Sequence, residues 1–144
     1  MRSLRAAVVF LTRIPVGVGR KGPPPLSQAV PWFPIVGAIV GCFVGATYSL
    51  ASQVLSATVA AVVAVSFATA ITGAFHLDGL ADSADAFAGG TTVERRFEIL
   101  KDSRLGTYGT SALVLVLFLE IAALATLAPS TGLIALVTAH AIGR

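Results

Sequence analysis

Charge is scarce in this 144-residue chain, and acidic side chains are absent from its first 77 positions. Charged residues make up 12% of the sequence, whereas a soluble domain usually carries about 25%. With 56% hydrophobic residues, the composition excludes an ordinary soluble domain and indicates a chain that lies in a bilayer. The single cysteine, Cys42, excludes an intramolecular disulfide. No strand pattern or internal repeat stands out.

The few basic residues are placed unevenly along the chain. Five of them precede every acid: Arg2, Arg5, Arg13, Arg20 and Lys21. A basic start can bind nucleic acid or an anionic lipid surface, and in a chain this apolar the lipid surface is the better interpretation. We therefore expect the lipid bilayer as a partner and no nucleic acid.

Hydropathy predicts an all-α fold, a polytopic transmembrane helical bundle forming a single membrane domain over residues 1–144. Residues 1–15 predict an amphipathic helix that lies in the membrane interface. The other predicted segments are membrane helices at 31–51, 54–75, 107–128 and 131–144, and a cytoplasmic active-site segment at 76–106. Within the first span, Gly37, Gly41 and Gly45 repeat every fourth residue, which predicts a face for close helix packing.

The positions of the basic residues also predict the topology. The N-terminal segment, the segment between the second and third spans and Arg144 carry all ten bases, while the other connections carry none. Alternating spans place these three regions on one side, which the positive-inside rule makes cytoplasmic. We expect a multi-pass protein of the inner (plasma) membrane, with its N-terminus and active-site segment in the cytoplasm.

Three aspartates follow the second predicted span at helical spacing. Asp78, Asp82 and Asp85 would share one face of a helix. Like charges at this spacing repel one another, and nearness to lipid makes uncompensated charge more costly. A bound cation relieves both effects, and a hard divalent ion such as Mg²⁺ is the simplest choice.

The same segment carries groups that suit phosphate. The bases are Arg95, Arg96, Lys101 and Arg104, and the glycines that permit close backbone approach are Gly89, Gly90, Gly106 and Gly109. A carboxylate-bound metal beside several cations is the arrangement that phosphoryl transfer needs.

Further residues in and around this segment predict a helix start or have more than one possible role. Thr91, followed by Glu94, matches a capping box and predicts a helix start. Asp102 can pair with a neighbouring base or act in catalysis. His76 is interpreted as an interface residue rather than a ligand, and Glu120, inside the third span, is either functional or simply hydrogen-bonded.

Taken together, the motifs resemble those of the cobalamin synthase family, the adenosylcobinamide-GDP ribazoletransferases. One motif is Thr72-Gly-Ala-Phe-His-Leu-Asp-Gly-Leu-Ala-Asp-Ser-Ala-Asp85, and another is Lys101-Asp-Ser-Arg-Leu-Gly-Thr-Tyr-Gly109. The segments Phe10–Val16 and Trp32–Gly37 are similar to N-terminal motifs of that family. The resemblance therefore runs in order through the whole chain.

The resemblance implies a Mg²⁺-dependent membrane transferase of late cobalamin (vitamin B12) biosynthesis. A hydroxyl of α-ribazole, or of α-ribazole 5′-phosphate, would attack the cobinamide-side phosphorus of adenosylcobinamide-GDP. GMP would leave, and adenosylcobalamin or its 5′-phosphate would form. Because family members are substantially longer, the resemblance also implies an N-terminal fragment, and it leaves oligomerisation open.

The resemblance also implies roles for single residues, helped by a looser likeness to the CDP-alcohol phosphotransferases. Asp78, Asp82 and Asp85 would bind the metal, and Asp85 or Asp102 would act as the catalytic base. The substrate phosphates would be held by Lys101, Ser103, Arg104 and Gly106.

Two other functions compete with this one. A CDP-alcohol phosphotransferase making a phospholipid shares the aspartate pattern, although its full signature is not matched. A cation transporter could line a path with the aspartates and Glu120. The enzyme is favoured over the transporter because a path needs polar groups through the bilayer, and only Glu120 lies mid-span.

Overall fold

The computed structural model describes residues 2–17, 22 and 24–144. All regular structure in those ranges is helical, which confirms the all-α prediction. The helices are α1 (Arg2–Leu11), α2 (Leu26–Ala29), α3 (Phe33–Ala51), α4 (Ala57–Thr72), α5 (Phe75–Gly89), α6 (Val93–Leu100), α7 (Thr107–Ala125) and α8 (Pro129–Ile142). A 3₁₀ turn, Val30–Trp32, joins α2 to α3. Arg20 and Lys21 of the basic N-terminal group lie outside the described residues.

The described helices include two stretches that are long and apolar enough to cross a membrane, Leu26–Ala51 and Thr107–Ala125. Helices α4 and α5 pass the same test only as a broken pair, which gives up to three spans, and α8 is a shorter apolar helix. The chain thus has the fold of a helical membrane protein. The predicted count of four spans is higher because α4 and α8, with 16 and 14 residues, fall short of the roughly 20 that a span needs.

The second predicted span ends early because the backbone turns at Gly73 and Ala74. Both residues are left-handed, with φ of 64° and 60°, and Ala74 is the one described non-glycine residue with positive φ. The Arg13 side chain crosses Gly73 so closely that a Cβ there would lie 2.8 Å from Arg13 Cγ. The Arg13 backbone N–H also donates to the Ile71 carbonyl (2.8 Å). The N-terminal motif therefore packs on this turn.

The chain divides into two compact units, residues 1–73 with 121–144, and residues 74–120. In the first unit, α3 packs along α4 and α8. Val36, Val40 and Val44 form a fully buried row on α3. The predicted glycine face lies beside this row, where a Cβ added to Gly41 would lie 2.7 Å from backbone atoms of α8. The glycines therefore allow the backbones of α3 and α8 to approach closely.

The buried phenol of Tyr48, on the same helix, reaches the carboxyl end of α7. Its hydroxyl lies 2.8 Å from the carbonyl oxygens of both Leu124 and Leu127. Gly132 leaves room for the ring, because a Cβ at that position would lie 2.5 Å from Tyr48 Cε1. The phenol thus lies against two carbonyl groups at the end of α7, of which that of Leu124 also accepts the Leu127 backbone N–H (3.1 Å).

Helix α1 also belongs to the first unit and packs against α3. Ala6, Ala7 and Leu11 are buried, and the Phe10 ring stacks on Phe33 with centroids 5.4 Å apart. The protein therefore covers part of the apolar face of α1. The interfacial role of residues 1–15, like the single membrane domain, stays a prediction.

Candidate active site

The three aspartates of the sequence motif lie on α5, which starts directly after the left-handed turn. Their exposure falls along the helix: Asp78 is exposed, Asp82 is half-buried, and Asp85 is 9% exposed. Because the spacing of four and three residues keeps them on one face, the predicted carboxylate face forms. The three side chains nevertheless have different surroundings.

Asp85 is held by two backbone amides from the start of α7. One carboxylate oxygen accepts the N–H of Gly106 and the other accepts the N–H of Gly109, both at 2.8 Å. The glycines are needed for this approach, because a Cβ at Gly106 or Gly109 would lie 2.8 or 3.0 Å from Asp85 Cγ and closer still to an oxygen. The close approach of Asp85 therefore explains why glycine is needed at both positions. Contact of Gly106 with the substrate remains a prediction.

Asp78 and Asp82 have carboxylates that no other group in the described part of the chain engages. No three His, Cys, Asp or Glu side chains among residues 2–17, 22 and 24–144 are grouped so that they could enclose an ion. Mg²⁺ does not need such a cage, since it commonly binds one or two carboxylates together with water and substrate phosphate. The pair on α5 fits that mode of binding by its chemistry.

Helix α6 follows α5 and packs on it. It begins at Thr92, whose hydroxyl accepts the Arg95 backbone N–H (3.2 Å). The capping box predicted at Thr91 and Glu94 is therefore wrong by one position. The physical reason is that Thr92 has the extended backbone (φ −120°, ψ 161°) that aims a capping oxygen into the first turn.

Helix α6 carries two of the four predicted phosphate-binding cations, and both are engaged by the protein. Arg96 donates from Nε to the Gly90 carbonyl (2.9 Å) and lies over the Phe87 ring. Arg95 pairs with Glu98 at 2.7 Å on the surface of α6. Arg96 thus joins the end of α5 to α6, and sequence reasoning did not predict this contact.

The turn between α6 and α7, residues 101–106, carries the other two cations. The Arg104 side chain donates from Nε to both Asp102 carboxylate oxygens (3.0 Å each) and from Nη2 to Oδ2 (2.6 Å). The Arg104 backbone N–H donates a fourth hydrogen bond, to Oδ1 of Asp102. The guanidinium remains 87% exposed, so its outer edge is open to a ligand. Lys101 and Ser103 are exposed, and Lys101 forms no ion pair with any described residue.

The Arg104 pairing changes the acid–base chemistry of Asp102. Hydrogen bonds from the Arg104 side chain and backbone lower the pKa of the Asp102 carboxyl to about 2. The same side-chain hydrogen bond raises the pKa of Arg104. Asp102 is therefore a fixed negative charge that orients Arg104.

Two residues whose roles the sequence left open lie outside these contacts. His76 is exposed near the start of α5, with its ring edge-on to Phe75 (centroids 5.4 Å apart). Glu120 lies in α7 on an exposed surface. All of the predicted site residues fall in the 74–120 unit: Asp78, Asp82, Asp85, Lys101, Asp102, Ser103, Arg104 and Gly106.

Comparison with known proteins gives one family. The family model described as cobalamin-5-phosphate synthase matches residues 3–144. A protein of Vibrio cholerae named adenosylcobinamide-GDP ribazoletransferase is 43% identical over 129 residues, 89% of this chain and 49% of that protein. Similar proteins of the same name come from Pseudoalteromonas atlantica (39% identical, 96% of this chain and 52% of that protein) and Ralstonia pickettii (42%, 99% and 57%).

The matches differ in how much of each protein they cover. No solved structure matches the chain. The chain spans about half the length of the curated relatives it matches. The family model, in contrast, covers nearly every residue and includes the α5 aspartates and the 101–109 motif. The chain therefore belongs to the cobalamin-5-phosphate synthase family.

Proposed function

We propose that this chain carries the phosphoryl-transfer segment of a membrane enzyme that joins adenosylcobinamide-GDP to α-ribazole or α-ribazole 5′-phosphate. A hydroxyl oxygen of the ribazole forms a bond to the cobinamide-side phosphorus, the bond from that phosphorus to the GMP oxygen breaks, and GMP leaves. The hydroxyl proton is released to solvent. The observation that carries this proposal is the joining of the two sequence motifs in one unit, where Asp85 on α5 accepts hydrogen bonds from the backbone of Gly106 and Gly109. The names of the relatives support the choice of substrates.

Mg²⁺ would be held by Asp78 and Asp82. When bound, such an ion neutralises phosphate oxygens and holds them in place for displacement. Asp78 and Asp82 supply hard oxygen donors one helical turn apart, and neither carboxylate is used by another described residue. The third predicted ligand, Asp85, has both oxygens bonded to backbone amides, so it is the weakest of the three assignments.

The diphosphate would contact the turn between α6 and α7. Lys101 offers a mobile ammonium, and Arg104 offers the outer edge of a guanidinium whose inner edge is fixed by Asp102. A planar guanidinium suits two phosphate oxygens at once. Ser103 lies between them and can add a hydroxyl hydrogen bond.

The membrane placement is also part of the proposal. Apolar helices long enough to cross a membrane support a position in a bilayer, and the distribution of bases favours the cytoplasmic side of the inner membrane for residues 76–106. Helix α6 exposes Val93 and Phe97, which suits contact with the lipid surface beside the site.

The reaction itself is the direct test. This chain, and a chimera in which it replaces the matched segment of the Ralstonia pickettii relative, are reconstituted in lipid vesicles with the intact relative as a control. Adenosylcobinamide-GDP and α-ribazole are supplied, and GMP release is followed with and without Mg²⁺. We expect Mg²⁺-dependent GMP release from the chain or the chimera. If both are folded and silent while the relative is active, the proposed function is wrong; corrinoid-independent ion flux would favour the transporter.

A pH profile tests whether Asp102 acts as the base. Because its pKa is about 2, the carboxylate stays charged until the pH falls through that value, and it accepts a proton poorly near neutrality. We therefore expect Asp102→Asn to lower kcat/KM by a factor that is constant between about pH 5 and about pH 9. A factor that shrinks between about pH 7 and about pH 5 would show instead that the Asp102 carboxyl titrates in that range, as a general base suited to neutral pH does.

A further inference from the structure

Asp85 differs from the other two aspartates in what surrounds it. It is the buried member of the three, and each of its oxygens accepts a backbone N–H at 2.8 Å. Asp78 and Asp82 have no such partner among the described residues. Two carboxylates on α5 are therefore available to a ligand, and the third is already bound by the protein.

The two backbone N–H groups that donate to Asp85 lie at the start of α7, where N–H groups have no acceptor within the helix. Gly106 directly precedes α7 and Gly109 is its third residue. A helix start usually obtains its acceptor from its own capping side chain. Here the acceptor comes from α5, and its negative charge also matches the positive end of the helix dipole.

This link fixes the turn that carries the proposed phosphate ligands. At its first end the backbone N–H groups of Lys101 and Asp102 bond to Glu98 and Ile99 of α6 (3.2 and 3.0 Å). At its other end the N–H of Gly106 bonds to Asp85. Only a few residues, including Arg104, lie between the two anchors. The position of Arg104 relative to α5 therefore depends on Asp85.

We infer that Asp85 is a positioning residue, whose carboxylate holds the Lys101–Gly106 turn against the aspartate helix, rather than a metal ligand or the catalytic base. Its effect on the reaction rests on the proposed function, but its effect on the turn does not. Gly106 and Gly109 are part of the same link, since a side chain at either position would displace the Asp85 carboxylate.

Limited proteolysis tests the link without any activity measurement. Trypsin cleaves after Lys101 and Arg104, which are exposed but held in a fixed turn. In the full chain in vesicles, we expect Asp85→Ala and Gly109→Ala to speed cleavage at these two sites about tenfold by freeing the turn. Asp82→Asn, which removes a charge from the same helix, serves as the matched control and should leave the cleavage rate unchanged.

The Mg²⁺ requirement separates positioning from metal binding. In the chain or the chimera, whichever releases GMP, we expect Asp82→Asn to raise the Mg²⁺ concentration for half-maximal GMP release about tenfold. Asp85→Asn should leave that concentration within about twofold of the wild type while lowering kcat, because it keeps one of the two acceptors. Gly109→Ala should behave like Asp85→Asn, although it leaves the carboxylate intact.

The outcomes distinguish this inference from the proposed function. Unchanged cleavage in both Asp85→Ala and Gly109→Ala, or a Mg²⁺ requirement that rises in Asp85→Asn as it does in Asp82→Asn, would overturn the positioning role. If Asp85→Ala does not fold, Gly109→Ala and Asp85→Asn still give both measurements. If no form releases GMP, the proposed function fails, and the cleavage rates alone decide the role of Asp85.

Discussion

Asp82→Asn is expected to lower the rate of GMP release by about a hundredfold to a thousandfold, the usual cost of removing one group that stabilises charge in a transition state. The substitution keeps the size of the side chain and removes its charge, which leaves Asp78 as the only anionic side chain on the open part of the α5 face. Asp82 is half-buried and engages no described partner, so its loss should affect the ligand more than the fold. The measurement is kcat in vesicles at saturating Mg²⁺.

Ser83→Ala is the matched control for this prediction. Ser83 is the next residue on α5, is exposed, and donates only to the Gly79 carbonyl of its own helix (2.6 Å). We expect its kcat to stay close to that of the wild type. If Asp82→Asn retained a near-normal rate, Asp82 would be removed from the proposed metal site, while the family assignment would be unaffected.

Gly41→Leu is expected to cause a large loss of stability. A Cβ at Gly41 would lie 2.7 Å from both Leu136 O and Val137 Cα. Neither is the end of a flexible side chain, so α8 would have to move away from α3. Even Gly41→Ala should cost about 1–3 kcal/mol, as overpacked sites do, and leucine should prevent this packing altogether. Thermal unfolding of the protein in detergent measures both effects.

Gly79→Ala provides the comparison for the alanine variant. Gly79 is also within a helix, but a Cβ there meets nothing within 4 Å. Because glycine is a weak helix former, alanine at this position should be neutral or stabilise the protein by up to about 1 kcal/mol. Equal stability of Gly41→Ala and the wild type would contradict the close approach of α3 and α8.

Much of the fold follows from local patterns. Apolar runs predict the helices, and the spacing of Gly37, Gly41 and Gly45 predicts the face on which α3 meets another helix. The break between α4 and α5 was not predicted, because Ala74 adopts a left-handed backbone that its own propensity disfavours. Tertiary contacts around the turn, such as that of Arg13 with Gly73, impose it.

The candidate site shows the same limit. Spacing places three carboxylates on one face of α5, but it treats them as equivalent. The partners of Asp85 lie 21 and 24 residues further along the chain, and no periodicity reports contacts at that separation. The glycines at 106 and 109 were the available signal: they predict room for a ligand, and the structure shows that they also make room for the Asp85 carboxylate.

The phenol of Tyr48 has a consequence for how α7 meets the thickness of the bilayer. Its 19 residues give a length of about 28 Å, slightly less than the roughly 30 Å of a hydrocarbon layer. A helix of that length would ordinarily thin the bilayer or leave carbonyl groups facing lipid at one end. Because the Tyr48 hydroxyl lies 2.8 Å from the carbonyl oxygens of Leu124 and Leu127, the protein supplies a donor at that end, and a position below the headgroups would leave fewer carbonyl groups facing lipid.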